Sequence, residues 1–161
     1  HPFPTRRASG RTQGSEVGVA PGGYSMVGCE ALVRDFQQQD NGLLGSRVVG
    51  GRRFRVASAE VQRDQLLVAD VHWLEEHQER PLQEEDADLM ALLHALAEHP
   101  MVASLDMGLE AAGQQSLGNQ LAYLLPFDEQ DKIELLEIDD PEERLVAIQS
   151  LLDEMQGDMQ A

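Results

Sequence analysis

The sequence predicts an α+β fold in which a small antiparallel sheet or barrel precedes a bundle of about four helices. Between Tyr24 and Trp73, short runs of β-branched and small residues alternate with turn signals, whereas after Arg80 the apolar residues recur at helical spacing. The charge divides at a similar place. Residues 1–63 carry nine arginines and five acidic residues, and residues 64–161 carry three basic and 24 acidic residues. The two halves therefore have net charges of +4 and −21, within a total of −17.

The β half contains several strand signals joined by turns. Residues 26–33 mix β-branched and small side chains over strand length, and residues 43–54 form a second run. The Asn-Gly pair at 41–42 lies between them and predicts a two-residue hairpin, because both positions tolerate positive φ. Residues 53–56 alternate polar and apolar side chains, as a half-exposed strand does, and residues 66–73 form a further candidate strand.

Glycine and proline mark the irregular segments of this half. Gly50 and Gly51 interrupt the second run, which predicts a tight turn or a bulge there. Residues 1–23 show no sustained period and predict a loop, with a short strand near residues 17–19. The opening HPFPTRR is unlike a natural N-terminus and has no initiating Met, so residues 1–14 are expected to be unstructured or non-native.

The acidic half begins with one well-marked helix. Pro81 suits a first helical turn, and Glu84–Asp86 place three carboxylates where the helix dipole favours anions. Pro100 is expected to end this helix just after His99. Its apolar face is expected to comprise Leu89, Leu92, Leu93 and Leu96.

Three further helices follow. Ser116 is expected to cap the second, which Pro126 stops, and Asp128 is expected to cap the third. Asp140 followed by Pro-Glu-Glu matches an N-cap and a first turn, so the last helix is expected to run to about Met155. The core of the whole chain is expected to include Phe54, Val56, Leu92 and Leu145.

No catalytic or cofactor-binding constellation emerges. Lys132 is the only lysine, and it lies in an acidic helix, which excludes a phosphate-binding P-loop. The pairs His72/His77 and His94/His99 are each spaced by five residues, whereas helical zinc ligands need a spacing of four. The sequence therefore predicts no metal, no cofactor and no catalytic residue.

The candidate nucleophiles are better explained by structural roles than by catalysis. Cys29 is the only cysteine, which excludes an intramolecular disulfide and is typical of a reducing cytoplasm. It lies inside a predicted strand, where a small buried residue is the simpler role. Ser104 and Ser116 lack the Gly-x-Ser-x-Gly setting of an activated serine. The chain has no apolar run of membrane-spanning length, and its acidity argues against nucleic acid or an anionic membrane as the main partner.

A basic patch on one predicted hairpin is the strongest candidate interaction site. It contains Arg47, Arg52, Arg53 and Arg55, with Arg34 on the preceding strand. Such a patch suits RNA phosphates or an acidic peptide, and it equally suits a solvated sheet face balanced by the acidic helices. It has no interleaved exposed aromatic residues if Phe54 is core, which leaves base stacking unsupported.

Several segments together resemble a known family. YSMVGCEA (24–31), DNG (40–42) and VVGGRRFRV (48–56) have the order and spacing found in the N-terminal substrate-binding domain of Lon proteases. LAYLLPFDEQDKIELLEIDDPEERL (121–145) resembles the last part of that domain. The resemblance covers about residues 15–153. The chain is similar to short stand-alone bacterial Lon-domain proteins that lack the ATPase and Ser-Lys peptidase modules.

The resemblance implies a PUA-like β pseudobarrel over residues 15–80 and a helical subdomain over residues 81–156. The family's opening strand pattern has no match in residues 1–14, so the first strands are expected to be missing and a strand edge left open. The implied role is non-catalytic binding of polypeptide or a protein partner in the cytoplasm, linked to proteolysis. The expected contact residues are Arg47, Arg52, Arg53, Arg55 and Tyr24. Weak self-association through strand edges and an RNA-binding role of the arginines are the further expectations.

Overall fold

The computed structural model describes residues 6–7, 24–76, 78–105 and 110–160 of the 161-residue chain. The strand expected near residues 17–19 lies outside these ranges. The chain divides into two compact units, His1–Glu76 and His77–Ala161. The first unit contains the sheet and the second the helices, which confirms the predicted α+β class.

Among the described residues, the sheet has four antiparallel strands in the order β1-β4-β3-β2. Their bounds are β1 Arg6–Arg7, β2 Val27–Gln38, β3 Leu44–Val61 and β4 Leu67–Trp73. The predicted strands at 43–54 and 53–56 are thus one continuous strand of 18 residues. β4 pairs only with residues 54–61 of β3, so the ends of β2 and β3 that extend beyond it form a two-stranded ribbon.

The turn at the end of this ribbon has three residues rather than the predicted two. Gln39 and Leu43 are joined by a backbone hydrogen bond of 2.8 Å, and Gly42 N–H donates to the Gln39 carbonyl at 2.9 Å. Gly42 adopts φ 81°, which supplies the left-handed residue that a three-residue hairpin loop needs. The Asn41 carboxamide oxygen accepts from Leu43 N–H at 3.1 Å and fixes the loop.

The double glycine lies inside β3, where the structure has the predicted bulge. The register shifts between the pairs Cys29–Arg53 and Ala31–Gly50, because β3 has two residues there, Gly51 and Arg52, where β2 has only Glu30. A Cβ atom on Gly51 would lie 2.8 Å from a Glu30 carboxylate oxygen and 2.9 Å from its Cβ. Gly51 is therefore needed to accommodate the Glu30 side chain.

The small β core lies between β3 and β4. Val56, Ala69 and Val71 are buried, and Phe54 and Trp73 pack against them partly exposed. Burial of Val56 agrees with expectation, whereas Phe54 is only half-buried. Its ring lies against Trp73 edge-to-face, with 6.1 Å between ring centroids.

The described part of the helical unit contains five helices after a short 3₁₀ turn at Glu84–Asp86. They are α1 Ala87–Glu98, α2 Pro100–Ala103, α3 Gln114–Leu124, α4 Glu129–Glu137 and α5 Pro141–Gln160. Pro100 ends α1, as expected, but it also begins the additional single-turn helix α2. Within the described residues, no helix is both long and apolar enough to cross a lipid bilayer.

The helical core consists of leucines, one isoleucine and one phenylalanine. Leu145 is buried in it, whereas Leu92 packs against it partly exposed. The other buried members are Leu89, Leu93, Leu117, Leu121, Leu125, Phe127, Leu135 and Ile148. This core brings α1, α3, α4 and α5 together.

The start of α3 depends on a residue far from it in sequence. The prediction that Ser116 caps this helix is wrong, because Ser116 lies in its first turn and Gly113 is the N-cap. The Glu79 carboxylate accepts from Gln115 N–H at 2.6 Å and from the Ser116 N–H at 3.2 Å, as well as from the Ser116 hydroxyl. A remote carboxylate thus satisfies the free amides of the first turn.

Arg144 joins three helices from a buried position. Its Nε donates to the Leu135 carbonyl at 3.1 Å, and a terminal nitrogen donates to the Asn119 carboxamide oxygen at 3.1 Å. The other terminal nitrogen donates to the Ile138 carbonyl. The side chain therefore satisfies the carbonyls at the end of α4 from within α5.

Candidate interaction surface

The β2–β3 ribbon carries a continuous row of exposed apolar side chains. We call Val33, Phe36, Leu44 and Val48 the apolar stripe. Their exposed fractions are 52%, 69%, 76% and 49%. Soluble proteins normally cover a contiguous apolar surface unless it contacts a partner. The stripe is therefore the most conspicuous unexplained surface in the described part of the sheet unit.

The register places all four stripe residues on one face. Val33 pairs with Val48, and Gln38 pairs with Leu44, across the ribbon. Val33 and Phe36 are three residues apart and would point to opposite faces of a regular strand. The register of β2 shifts between Val33 and Asp35, so Arg34 is an extra residue that returns Phe36 to the face of Val33.

The opposite face of the ribbon is mixed in character. It contains Leu32 opposite Val49 and, next to them, Asp35 opposite Arg47. The Asp35–Arg47 pair places opposite charges on directly facing positions of neighbouring strands, which favours this register. Charge is thus kept away from the face that carries the apolar stripe.

Arg52, a predicted contact residue, is held by a bidentate ion pair. Its guanidinium donates to the Glu30 carboxylate at 2.9 and 3.3 Å, and its backbone N–H donates to the same carboxylate at 3.1 Å. The hydrogen bond to Glu30 raises the pKa of Arg52. The guanidinium carbon also lies 3.9 Å from the centroid of the Trp73 ring, within the range of a cation–π contact.

Arg53 is buried, with only 6% of its surface exposed. Its backbone N–H and its Nε donate to the Glu76 carboxylate at 3.1 and 3.4 Å, and a terminal nitrogen donates to the Glu75 carbonyl at 3.1 Å. A buried arginine needs such partners because an unpaired charge is costly away from water. Arg53 therefore attaches the segment after β4 to β3.

The remaining predicted contact residues are exposed. Arg55 lies opposite Val27 on one side and His72 on the other. Tyr24, 42% exposed, precedes β2. Arg47 lies five positions before Arg52 on the same strand, which corresponds to about 16 Å. The structure therefore separates Arg47 from the other three arginines and leaves them in different environments.

Cys29 is exposed on β2 but is not activated. Partial burial of its thiol raises its pKa, and the nearby Glu30 and Glu76 carboxylates raise it further. A raised pKa leaves less thiolate at neutral pH, and the thiolate is the nucleophile. In the described ranges, no group of three or more His, Cys, Asp or Glu side chains is placed to hold a metal ion.

A groove in the helical unit is a further candidate site. Its lining mixes polar and apolar side chains and includes Arg80, Asp86 and Gln114. Asp86 accepts from the Gln83 N–H at 2.8 Å and from the Gln114 carboxamide at 3.0 Å. Arg80 donates to the Asp140 carboxylate at 3.2 Å. These groups bond to one another, so the groove is a structural junction of the helices.

The apolar stripe was missed by sequence reasoning, which had placed the contact surface on the arginines and Tyr24. A signal was present in the apolar spacing around Val33 and Phe36. That spacing does not follow the period of two that identifies a strand face, and only the bulge at Arg34 explains it.

Comparison with known proteins identifies the family. The pattern described as the ATP-dependent protease La (LON) substrate-binding domain matches residues 12–154. This chain therefore belongs to the Lon substrate-binding domain family, as the sequence predicted.

Two solved structures are similar to the chain. The Lon N-terminal domain protein from Xanthomonas campestris is 30% identical with a TM-score of 0.63, over 78% of this chain and 68% of that one. The N-terminal domain of the Mycobacterium avium complex Lon protease is 20% identical with a TM-score of 0.51, over 80% of this chain and 70% of that one. The second likeness concerns the fold alone. A comparison with curated proteins gives no match.

Proposed function

We propose that this chain is a non-catalytic module that binds unfolded or extended polypeptide segments, and that the apolar stripe is its contact surface. The carrying observation is the exposure of four apolar side chains on one face of the β2–β3 ribbon. Membership of a substrate-binding family supports a binding role, and the family pattern matched here is that of the binding domain only.

The composition of the stripe fits a sequence-tolerant interaction. It has two β-branched side chains, one leucine and one phenylalanine, and the charged pair Asp35–Arg47 lies on the opposite face. Unfolded polypeptides expose apolar side chains that folded proteins bury, so an uncharged apolar surface distinguishes the two states. Binding therefore depends on the folding state of the partner more than on its sequence.

The expected affinity is moderate. Fully burying one apolar side chain contributes about 1.5–3 kcal/mol, and the stripe residues are already partly covered. Ordering a flexible polypeptide on the ribbon offsets much of this gain. We therefore expect dissociation constants in the micromolar range, which corresponds to about −8 kcal/mol.

The arginines support the RNA-binding alternative less well. The Arg52 guanidinium already binds the Glu30 carboxylate at 2.9 Å, and Arg53 is 6% exposed. Phosphate recognition needs accessible cations arranged along a backbone path. A salt-dependent association of structured RNA, lost on Arg52→Glu with Arg53→Glu, is what that alternative requires.

The proposed setting is a reducing compartment, the cytoplasm, with a partner that acts in proteolysis. Cys29 is a free thiol, and proteins built without disulfides are typical of the cytoplasm. The proteolytic link rests on the family alone.

The test is a titration with fluorescently labelled α-lactalbumin, kept unfolded by reduction and carboxymethylation. We expect micromolar binding by the wild-type chain that changes little between low and moderate salt. Replacing Phe36 and Leu44 together by serine should weaken it at least about tenfold, because these are the most exposed members of the stripe.

Val61→Ser is the matched control, since Val61 is 47% exposed at the end of β3, away from the stripe. It should bind as the wild type does. Absence of binding by the wild type, or equal affinity of the stripe variant and the wild type, would contradict the proposal.

A further inference from the structure

The outer edge of β2 is open among the described strands. β2 is the last strand in the order β1-β4-β3-β2. The hydrogen bond of 2.8 Å between Gln39 N–H and the Leu43 carbonyl sets the alternation of bonding along the ribbon. The backbone groups of Phe36 and Gln38 consequently point away from β3. Such an edge is able to accept another strand.

Two adjacent opposite charges lie in the outer half of this strand. Arg34 and Asp35 are both exposed. Within the described residues, neither side chain has a hydrogen bond or an ion pair, in contrast to the bidentate Arg52–Glu30 pair. A positive and a negative side chain next to each other on one strand are self-complementary, because an antiparallel copy presents the same two charges in reverse order.

We propose that a second copy of this chain docks on the open edge of β2. The two β2 strands run antiparallel, with Arg34 of each copy opposite Asp35 of the other. A two-fold axis between these residues makes both ion pairs equivalent. The pairing extends the sheet across the two copies and satisfies the outward backbone groups of Phe36.

The same register also matches the apolar residues. When Arg34 faces Asp35 of the second copy, Val33 of each copy faces Phe36 of the other. The two Val33–Phe36 pairs lie on the face of the apolar stripe. Aromatic and β-branched side chains are favourable partners across strands. The stripes of the two copies then form one apolar face that spans the axis.

The β-bulge at Arg34 is compatible with this arrangement. A bulge on an edge strand normally discourages pairing because it disturbs the spacing that a regular partner needs. Here the partner carries the same bulge at the same place, on the other side of the two-fold axis. Each irregular segment therefore faces an identical one.

This inference is independent of the proposed function. Self-association uses the edge of β2, whereas polypeptide binding uses the face of the ribbon. A chain that dimerises without binding polypeptide, or that binds as a monomer, would separate the two proposals.

The experiment is sedimentation equilibrium over a wide range of protein concentration. The wild type should show a monomer–dimer equilibrium. Arg34→Asp and Asp35→Arg should each weaken the dimer by roughly tenfold or more, because each places like charges opposite one another at two positions. Arg63→Asp makes the same charge change in the exposed β3–β4 turn and should leave the dimer unchanged.

Mixing the two variants gives the most specific result. An equimolar mixture of Arg34→Asp and Asp35→Arg restores opposite charges at both pairs, so it should form heterodimers where each variant alone does not. Circular dichroism confirms that both variants are folded. A monomeric wild type at all concentrations, as expected if another segment of the protein covers this edge, would overturn the proposal. So would dimers that tolerate both variants, or a mixture that stays monomeric.

Discussion

Val33 and Phe36 lie on the same face of β2 although they are three residues apart, because the extra residue Arg34 lies in a β-bulge between them. This local irregularity turns two scattered apolar residues into part of a continuous surface. Arg34 and Asp35, at the same bulge, lie on the edge of β2 that is open among the described strands. The proposed binding face and the proposed self-association edge therefore both include this bulge.

The close approach of Gly113 to Glu79 and Arg80 leads to one prediction about stability. A Cβ atom on Gly113 would lie 2.3 Å from the Arg80 carbonyl oxygen and 2.6 Å from Glu79 Cγ. The backbone must move to relieve this clash, which also displaces the Glu79 carboxylate from the start of α3. Gly113→Ala should lower the free energy of unfolding by about 1–3 kcal/mol, measured by urea denaturation.

Gly157→Ala is the control, and its effect on the free energy of unfolding should have the opposite sign. Gly157 lies in α5, and a Cβ atom there would have no neighbour within 4 Å. Because glycine disfavours helix by up to about 1 kcal/mol relative to alanine, this substitution should stabilise the chain slightly. If Gly113→Ala were as harmless as Gly157→Ala, the proposed close approach at α3 would be wrong.

The contact between Arg52 and Trp73 makes a spectroscopic prediction. Trp73 is the only tryptophan, and the Arg52 guanidinium lies 3.9 Å from its ring centroid. Arg52→Ala should expose this face of the indole to water and shift its fluorescence emission to longer wavelength. Glu30→Gln should cause a smaller shift in the same direction, since Glu30 holds the guanidinium at 2.9 Å.

Arg55→Ala is the comparison for this measurement, because Arg55 is exposed and lies next to His72 in the register rather than opposite Trp73. Its emission should match that of the wild type. An unchanged spectrum in Arg52→Ala would show that the guanidinium does not cover the ring in solution.

Cys29 makes a pH-dependent prediction. Partial burial and the carboxylates of Glu30 and Glu76 raise its pKa, so less thiolate is present at neutral pH than in an ordinary thiol. Alkylation by iodoacetamide should be slow at neutral pH and should rise with pH through a midpoint above that of a small model thiol. Glu30→Gln removes one of the causes and should lower that midpoint. A midpoint below the model thiol would contradict this assignment.

Local sequence signals were sufficient for most of the elements. The Asn-Gly turn and the acidic helix starts lie within a few residues of the elements they define, and these elements were predicted. The start of α3 was not, because its capping carboxylate comes from Glu79, 36 residues before Gln115. The continuity of β3 was also missed, because the double glycine makes a bulge that does not interrupt the strand.

The candidate surface was predicted less well for a related reason. The arginines of β3 look equivalent in the sequence, but they have different environments in the sheet. Arg53 is buried, and Arg52 is ion-paired. The apolar stripe depends on cross-strand register and on a bulge, neither of which is visible in the spacing of one strand. Both require the pairing of β2 with β3 to be known.

The most direct test of the stripe as a polypeptide-binding surface is site-specific photo-crosslinking. The photoreactive residue p-benzoylphenylalanine replaces Phe36 in one variant and Tyr123 in another, since both side chains are aromatic and more than 60% exposed (69% and 63%). Each variant is irradiated with reduced, carboxymethylated α-lactalbumin. We predict crosslinks from position 36 and little or none from position 123. Crosslinks from position 123 alone, or equal yields from both positions, would contradict the assignment of the stripe.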